Sequence, residues 1–245
     1  MSLLGYTKKQ FLKLDPEEIC WQLSKEEVLH LFSAFGAYWS YDFRAADEGR
    51  VGCHAILSDG FHSNGFFNSR PVLEHDNLCR LFAKQLVMKY RSLRGIPASR
   101  VLGIPHGATK LGIEVARELD LPVGVLRKTG SGFELESEVK PGEILLLVED
   151  FIRGATNLSD GIWACFKKQP QASASNYHLV LLNRGSHSVV QVERKNFGIA
   201  YLTSHLADDW RPANCTLCNT FQSEAIRPKE PAENWQRLIT SQSAA

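Results

Sequence analysis

Residues 142–157 constrain this chain more than any other stretch. Gly142-Glu143 opens a run of aliphatics, Ile144-Leu145-Leu146-Leu147-Val148, that ends in two acids, Glu149-Asp150. Phe151-Ile152-Arg153-Gly154-Ala155-Thr156-Asn157 follows, and then a helical pattern begins. The run is too short to span a membrane and suits a strand buried on both faces of a parallel sheet. Two carboxylates at the carboxyl end of such a strand sit where open α/β sheets bind ligands. The loop after them leads into a helix N-terminus, a ready anion site. Acids beside a phosphate cradle point to a ligand with both sugar hydroxyls and a phosphate. The competing reading is a parallel strand whose acids only cap the next helix.

The surrounding chain supplies the context for such a strand. Strands are expected at 100–104, 122–126, 133–139, 144–148 and 177–182, with helices at 109–119 and 158–168. This alternation argues for α/β architecture: an open, mainly parallel sheet with flanking helices. Upstream, Ser24-Lys25-Glu26-Glu27 is a capping box opening a helix to about residue 35. Residues 53–57 and 65–68 read as two strands around the turn signal Ser58-Asp59-Gly60. Leu78, Phe82, Leu86, Val87 and Tyr90 recur at helical spacing within 76–93. Residues 1–23 read as a poorly patterned leader, 38–51 carry no clear pattern, and beyond Trp210 the pattern dissolves into a proline-bearing tail.

Composition removes several function classes. The 245 residues carry a formal charge of +1, so no global basic field recruits nucleic acid. No apolar stretch approaches the ~18 residues of a membrane span, and Met1 to Leu14 lacks the hydrophobic core of a secretory signal. Six cysteines scattered through the expected elements suit reduced thiols in a cytoplasmic protein better than a disulfide framework. Cys215-x-x-Cys218 is half of a zinc signature. A structural metal needs four ligands, no second pair follows, and His205 is the only histidine within a few turns. The pair is therefore read mainly as a structural turn, and no metal ligand is assigned.

Five motifs in order resemble the type I phosphoribosyltransferases, most closely orotate phosphoribosyltransferase. The aliphatic strand with its acids and the loop Arg153-Gly154-Ala155-Thr156-Asn157 stand where the family has an acidic pair and a Thr-Thr-Gly-like loop. Gly60-Phe61-His62-Ser63-Asn64-Gly65-Phe66-Phe67-Asn68 is similar to the nucleobase-site hairpin. Val101-Leu102-Gly103-Ile104-Pro105-His106-Gly107-Ala108 is similar to the pyrophosphate loop. Arg127-Lys128, and Leu181-Leu182-Asn183-Arg184 where orotate enzymes usually have Asp-Arg, complete the set. The tail from Cys215-Thr216-Leu217-Cys218 to Ile226-Arg227-Pro228-Lys229 resembles the end of some bacterial members.

The resemblance implies a type I phosphoribosyltransferase fold with a small N-terminal hood: residues 1–70 as helix and hood, 71–210 as the phosphoribosyl pyrophosphate-binding core, 211–245 as tail. It implies transfer of a phosphoribosyl group to a nucleobase, orotate favoured, with Mg2+ accompanying the diphosphate, in a homodimer. Glu149 and Asp150 would grip the ribose hydroxyls, and Lys128 joins them in the catalytic set. Arg153, Gly154, Ala155, Thr156 and Asn157 would cradle the 5′-phosphate. Gly103, His106, Gly107 and Arg127 would hold the pyrophosphate. His62, the Phe66 and Phe67 backbone, and Arg184 would hold the base; a guanidinium is the natural partner of a carboxylate. Two alternatives stay open: a non-catalytic sensor of phosphoribosyl pyrophosphate, and an enzyme for another nucleobase.

Overall fold

The computed structural model describes residues 2–243, which form two compact units. The larger takes the chain up to Leu31 and Ser69–Leu206; the smaller takes Phe32–Asn68 and the chain from Ala207 onward. This redraws the division expected at 1–70, 71–210 and 211–245. The leader belongs to the α/β unit, and the tail joins the smaller one.

The larger unit is built on one sheet. Its strands lie in the order Val189–Val192, Lys195–Ser204, Tyr177–Asn183, Ile144–Ile152, Arg100–Gly103, Val123–Gly124. Ser173–Ala174 pairs with the start of Ile144–Ile152. Only the pairing of Val189–Val192 with Lys195–Ser204 is antiparallel. Counted along the chain, the five main parallel strands run second, first, third, fourth, fifth across the sheet. The order reverses between Arg100–Gly103 and Ile144–Ile152, and such a reversal opens a crevice at the carboxyl ends of the two strands.

The central strand, Ile144–Ile152, has no solvent face: every residue from Leu145 to Asp150 is buried. Leu145 and Leu147 pack in one cluster with Leu102, Ile162, Cys165 and Val180. Two glycines bring the next layer close. A Cβ on Gly112 would stand 2.6 Å from the Cα of Gly103, so the helix Thr109–Leu119 lies backbone to backbone against the strand Arg100–Gly103.

Three expectations shift. The strand expected at 122–126 ends at Gly124, and Leu126–Thr129 leaves the sheet to form an antiparallel hairpin with Gly132–Leu135. Arg127 and Lys128 therefore sit on that hairpin, not at the sheet edge. The sheet also gains Val189–Val192 and Lys195–Ser204, where the residue pattern predicts no strand. The leader is ordered: Asn77 Nδ2 donates to Phe11 O (2.9 Å) and Leu14 O (3.0 Å), and buried Gln85 accepts from Leu23 N through Oε1 (2.7 Å) while donating to Trp21 O through Nε2 (2.9 Å). The capping box is present, with Ser24 N donating to Glu27 Oε2 and Glu27 N to Ser24 Oγ.

In the smaller unit the strands expected around Ser58-Asp59-Gly60 do not pair with each other. Cys53–Ile56 pairs with His62–Ser63, while Gly65–Phe67 pairs with Tyr38–Ser40. Buried Ser63 fixes the change of partner, its Oγ donating to Gly65 O (3.0 Å). The proline-bearing tail is structured. Asp209–Trp210 adds to His62–Ser63, Glu224–Ile226 runs parallel to Cys53–Ile56, and a helix spans Glu233–Thr240. No helix among the described residues is long and apolar enough to cross a membrane.

Gly112 gives a test of the close packing. Alanine would gain about 1 kcal/mol of helix propensity, but overpacking against backbone costs about 1–3 kcal/mol. Gly112→Ala should lower the urea midpoint; a raised midpoint would contradict the backbone contact.

Candidate active site

The carboxyl end of the central strand meets the loop after Arg100–Gly103 at the reversal of strand order. A Cβ on Gly107 would stand 2.2 Å from Asp150 Oδ2, and one on Gly103 2.2 Å from Ala108 O. Only glycine at 107 lets the loop backbone lie against the carboxyl. Ile104 N donates to Val148 O (2.8 Å) and Ala108 N to Ile104 O (3.0 Å), so the loop is tied to the strand that carries the acids. The Pro105–His106 peptide is cis, and His106 is exposed.

Glu149 and Asp150 are both buried. Burial pushes the Glu149 carboxyl well above the usual carboxylate range; the Asp150 charge and a hydrogen bond between the two carboxyls add to the rise, and the Lys128 ammonium opposes it. Asp150 Oδ1 accepts from Phe151 N (2.9 Å). Glu149 Oε2 is buried with no hydrogen-bond partner among the described residues. An acceptor left this way costs about 1–3 kcal/mol, and a donor hydroxyl or a cation would satisfy it. Oxygen donors of this kind suit Mg2+, so the acids fit the ion that the resemblance implies.

The loop after the strand opens to solvent. The helix Thr156–Lys168 starts from Ala155 with no side-chain cap and no acid in its first turn. Gly154, Thr156 and Asn157 are exposed, and a Cβ on Gly154 would meet nothing within 4 Å. The opposite wall is the turn after Tyr177–Asn183. Arg184 N donates to Ile152 O (2.7 Å), and a Cβ on Gly185 would stand 2.2 Å from Arg153 O. Asn183 holds this turn: its Nδ2 donates to His187 O (2.7 Å) and its Oδ1 accepts from Gly185 N (3.0 Å). An aspartate could accept but not donate, which gives the amide at this position a structural reason that spacing alone does not reveal. Arg184 itself is buried.

Thus the structure brings together Gly103, Gly107, Glu149, Asp150, the loop 153–157 and Arg184 at one end of the sheet, with Lys128 near enough to act on Glu149. Arg127 is engaged elsewhere, ion-paired across its hairpin to Glu134 and, at 2.6 Å, to Glu136. His62, Phe66 and Phe67 lie in the smaller unit. Phe67 stacks on Tyr38 with ring centroids 4.6 Å apart, Phe66 packs near Trp235, and His62 turns its Nδ1 toward His54 Nε2 at 3.0 Å. Two further concavities of the larger unit, about 260 and 300 Å3, are lined by residues such as Ile96 and Asn176. They lie at the amino ends of the strands, the wrong end for a ligand of a doubly wound sheet.

No family model matches the chain. Among curated proteins, it is 30% identical over 186 residues to orotate phosphoribosyltransferase of Helicobacter pylori, covering 71% of this chain and 90% of that one. It is 26% identical over 199 residues to the protein of the same name from Pelotomaculum thermopropionicum, covering 80% and 93%. The match to the Thermococcus kodakarensis protein of that name, 33% identical over 131 residues, spans 52% of this chain and 64% of its relative. Among solved structures, orotate phosphoribosyltransferase from Aeropyrum pernix superposes with a TM-score of 0.54 at 18% identity, over 72% of this chain and 93% of that one, a likeness of fold. With the H. pylori relative matched over nine-tenths of its length, on a doubly wound sheet whose acids stand at the reversal point, the chain belongs to the orotate phosphoribosyltransferase family.

Proposed function

We propose that the chain transfers the phosphoribosyl group of phosphoribosyl pyrophosphate to orotate, giving orotidine 5′-monophosphate and pyrophosphate. The observation that carries this reading is the contact of Asp150 with the backbone of Gly107 at the sheet's reversal point, which sets a ribose grip against an anion loop.

In the reaction the bond from ribose C1 to the pyrophosphate oxygen breaks and a bond from C1 to a ring nitrogen of orotate forms, that nitrogen losing its proton to solvent. Positive charge builds on the sugar while negative charge grows on the leaving group, so positioning and electrostatics supply most of the rate. Glu149 and Asp150 accept hydrogen bonds from the ribose hydroxyls, and the negative charge the pair shares favours the cationic sugar. The N–H groups at the start of Thr156–Lys168, with the Thr156 hydroxyl, hold the 5′-phosphate. The Gly103–Thr109 loop and Lys128 receive the pyrophosphate. Arg184 pairs with the orotate carboxylate. Mg2+, which Glu149 and Asp150 would hold, offsets the diphosphate charge when bound. Assembly as a homodimer, which the resemblance implies, belongs to this reading and is tested by light scattering; full activity in a species of one-chain mass would contradict it.

Two substitutions separate the roles. Glu149 titrates above its unfolded value, so its contribution to stability is fully present below the ordinary carboxylate range and is lost as pH rises through the raised folded value. Glu149→Gln should therefore be more stable than wild type, by an increment that grows with rising pH, yet turn over substrate about ten- to a hundred-fold more slowly. A variant that is no more stable at high pH, or that keeps wild-type turnover, would sink the assignment. Arg184→Ala should raise the Michaelis constant for orotate about ten- to a hundred-fold while sparing calorimetric affinity for phosphoribosyl pyrophosphate. Equal losses for both substrates would place Arg184 outside the base site.

A further inference from the structure

Four side chains of the smaller unit converge on one point. His54 lies on Cys53–Ile56 and His62 on His62–Ser63, antiparallel neighbours in one sheet. Cys215 is the N-cap of the one-turn helix Thr216–Asn219 and Cys218 lies within it, where Asn219 N donates to Cys215 O (3.0 Å). One ligand atom from each of the four lies within 4.8 Å of all the others. His54, His62 and Cys215 are buried and Cys218 is partly so. We propose that His54, His62, Cys215 and Cys218 form a structural zinc site.

The distances match the metal. Zinc–nitrogen bonds of about 2.0–2.1 Å and zinc–sulfur bonds of about 2.3 Å in a tetrahedron separate the ligands by roughly 3.3 Å for N···N and roughly 3.6 Å for N···S. Here His54 Nε2 and His62 Nδ1 are 3.0 Å apart, His54 Nε2 is 3.5 Å from each sulfur, and Cys218 Sγ is 3.3 Å from His62 Nδ1.

The protons argue the same way. Ser223 Oγ donates to Gly52 O (3.1 Å), which leaves its lone pairs for His54 Nδ1 at 3.0 Å. His54 therefore carries its proton on Nδ1 and turns the single lone pair of Nε2 into the cluster. Three polar atoms crowd that one lone pair, and only one of them can donate to it well. A central cation accepts all four ligands at once, with both thiols losing their protons to solvent on binding. The Ser223 contact is the orienting hydrogen bond that metal-bound histidines usually have.

Four protein ligands leave no open position, the mark of a structural and not a hydrolytic zinc. The site joins the segment 32–68 to the segment from Ala207 onward, the two pieces of a unit of about 75 residues. Units of that size often need a staple beyond their hydrophobic core. Cys215-x-x-Cys218 has no second ligand pair near it in sequence because His54 and His62 stand more than 150 residues upstream. His62, expected at the base site, turns its Nδ1 into this cluster.

The test is metal analysis of the purified full-length chain, followed by cobalt(II) substitution after chelator treatment. A single zinc per chain, and a cobalt spectrum with tetrahedral d–d bands and thiolate charge transfer, are expected. Cys218→Ser should lose the stoichiometric zinc, and Ser223→Ala should weaken zinc binding about ten- to a hundred-fold. Chelation should lower the melting temperature of the wild type. A folded wild type that carries no zinc and gives no cobalt bands would overturn the proposal. So would stoichiometric iron in place of zinc, or full zinc retention in Cys218→Ser. Because metal content and spectra are read without substrate, failure here leaves the transferase assignment standing, and loss of turnover would not touch the metal site.

Discussion

Two carboxyls at the end of a strand otherwise made of buried aliphatics set the terms for the larger unit. Leu145 to Val148 give the sheet a centre with no solvent face, and the same burial reaches Glu149 and Asp150. A chain selected only for stability would not place adjacent acids there, since desolvation and mutual repulsion both resist their charge. Local rules broken without local compensation mark functional positions. Glu149 Oε2, buried and without a hydrogen-bond partner among the described residues, is an acceptor that a donor hydroxyl or a cation would satisfy.

The rest of the centre is arranged around that strand by close backbone packing. Gly112 lets the helix Thr109–Leu119 settle on Gly103, and Gly107 lets the following loop touch Asp150. On the other side, the turn held by Asn183 brings Arg184 and Gly185 against Ile152 and Arg153. Strand order then fixes where these loops can meet. Because the sheet reverses between Arg100–Gly103 and Ile144–Ile152, the loop carrying Gly107 and the acids share one crevice, while the concavities at the amino ends face away from it. Lys128 reaches this centre from a separate hairpin, and its charge is felt by Glu149.

How far the sequence revealed this depended on whether a signal was local. The parallel core was legible because aliphatic runs ending in small or acidic residues repeat between helical patterns, and Glu149, Asp150, Gly103 and Gly107 stood at the ends of those runs. Lys195–Ser204 was not legible, since Lys195 and Asn196 at its start and the hairpin turn before it break the apolar pattern of a buried strand. The placement of Arg127 was missed because Val125 breaks the strand into two pieces, a decision made by tertiary pairing with 132–136. Asn183 was read as a departure from a motif, whereas its amide is spent on the carbonyl of His187, a contact no spacing rule encodes. The smaller unit was least legible. Its core joins Trp39, Tyr41 and Ala55 to Leu217, Ile226 and Leu238, residues brought together across the intervening α/β segment.

The central claim is that the crevice between Gly107 and Asp150 carries phosphoribosyl transfer to orotate. Its most direct test is pyrophosphate release by the wild-type chain with phosphoribosyl pyrophosphate and Mg2+, across orotate, uracil and the purine bases. The account predicts release that requires orotate and yields orotidine 5′-monophosphate in equal amount. Binding of phosphoribosyl pyrophosphate with no release for any base, or release with another base and none with orotate, would contradict it.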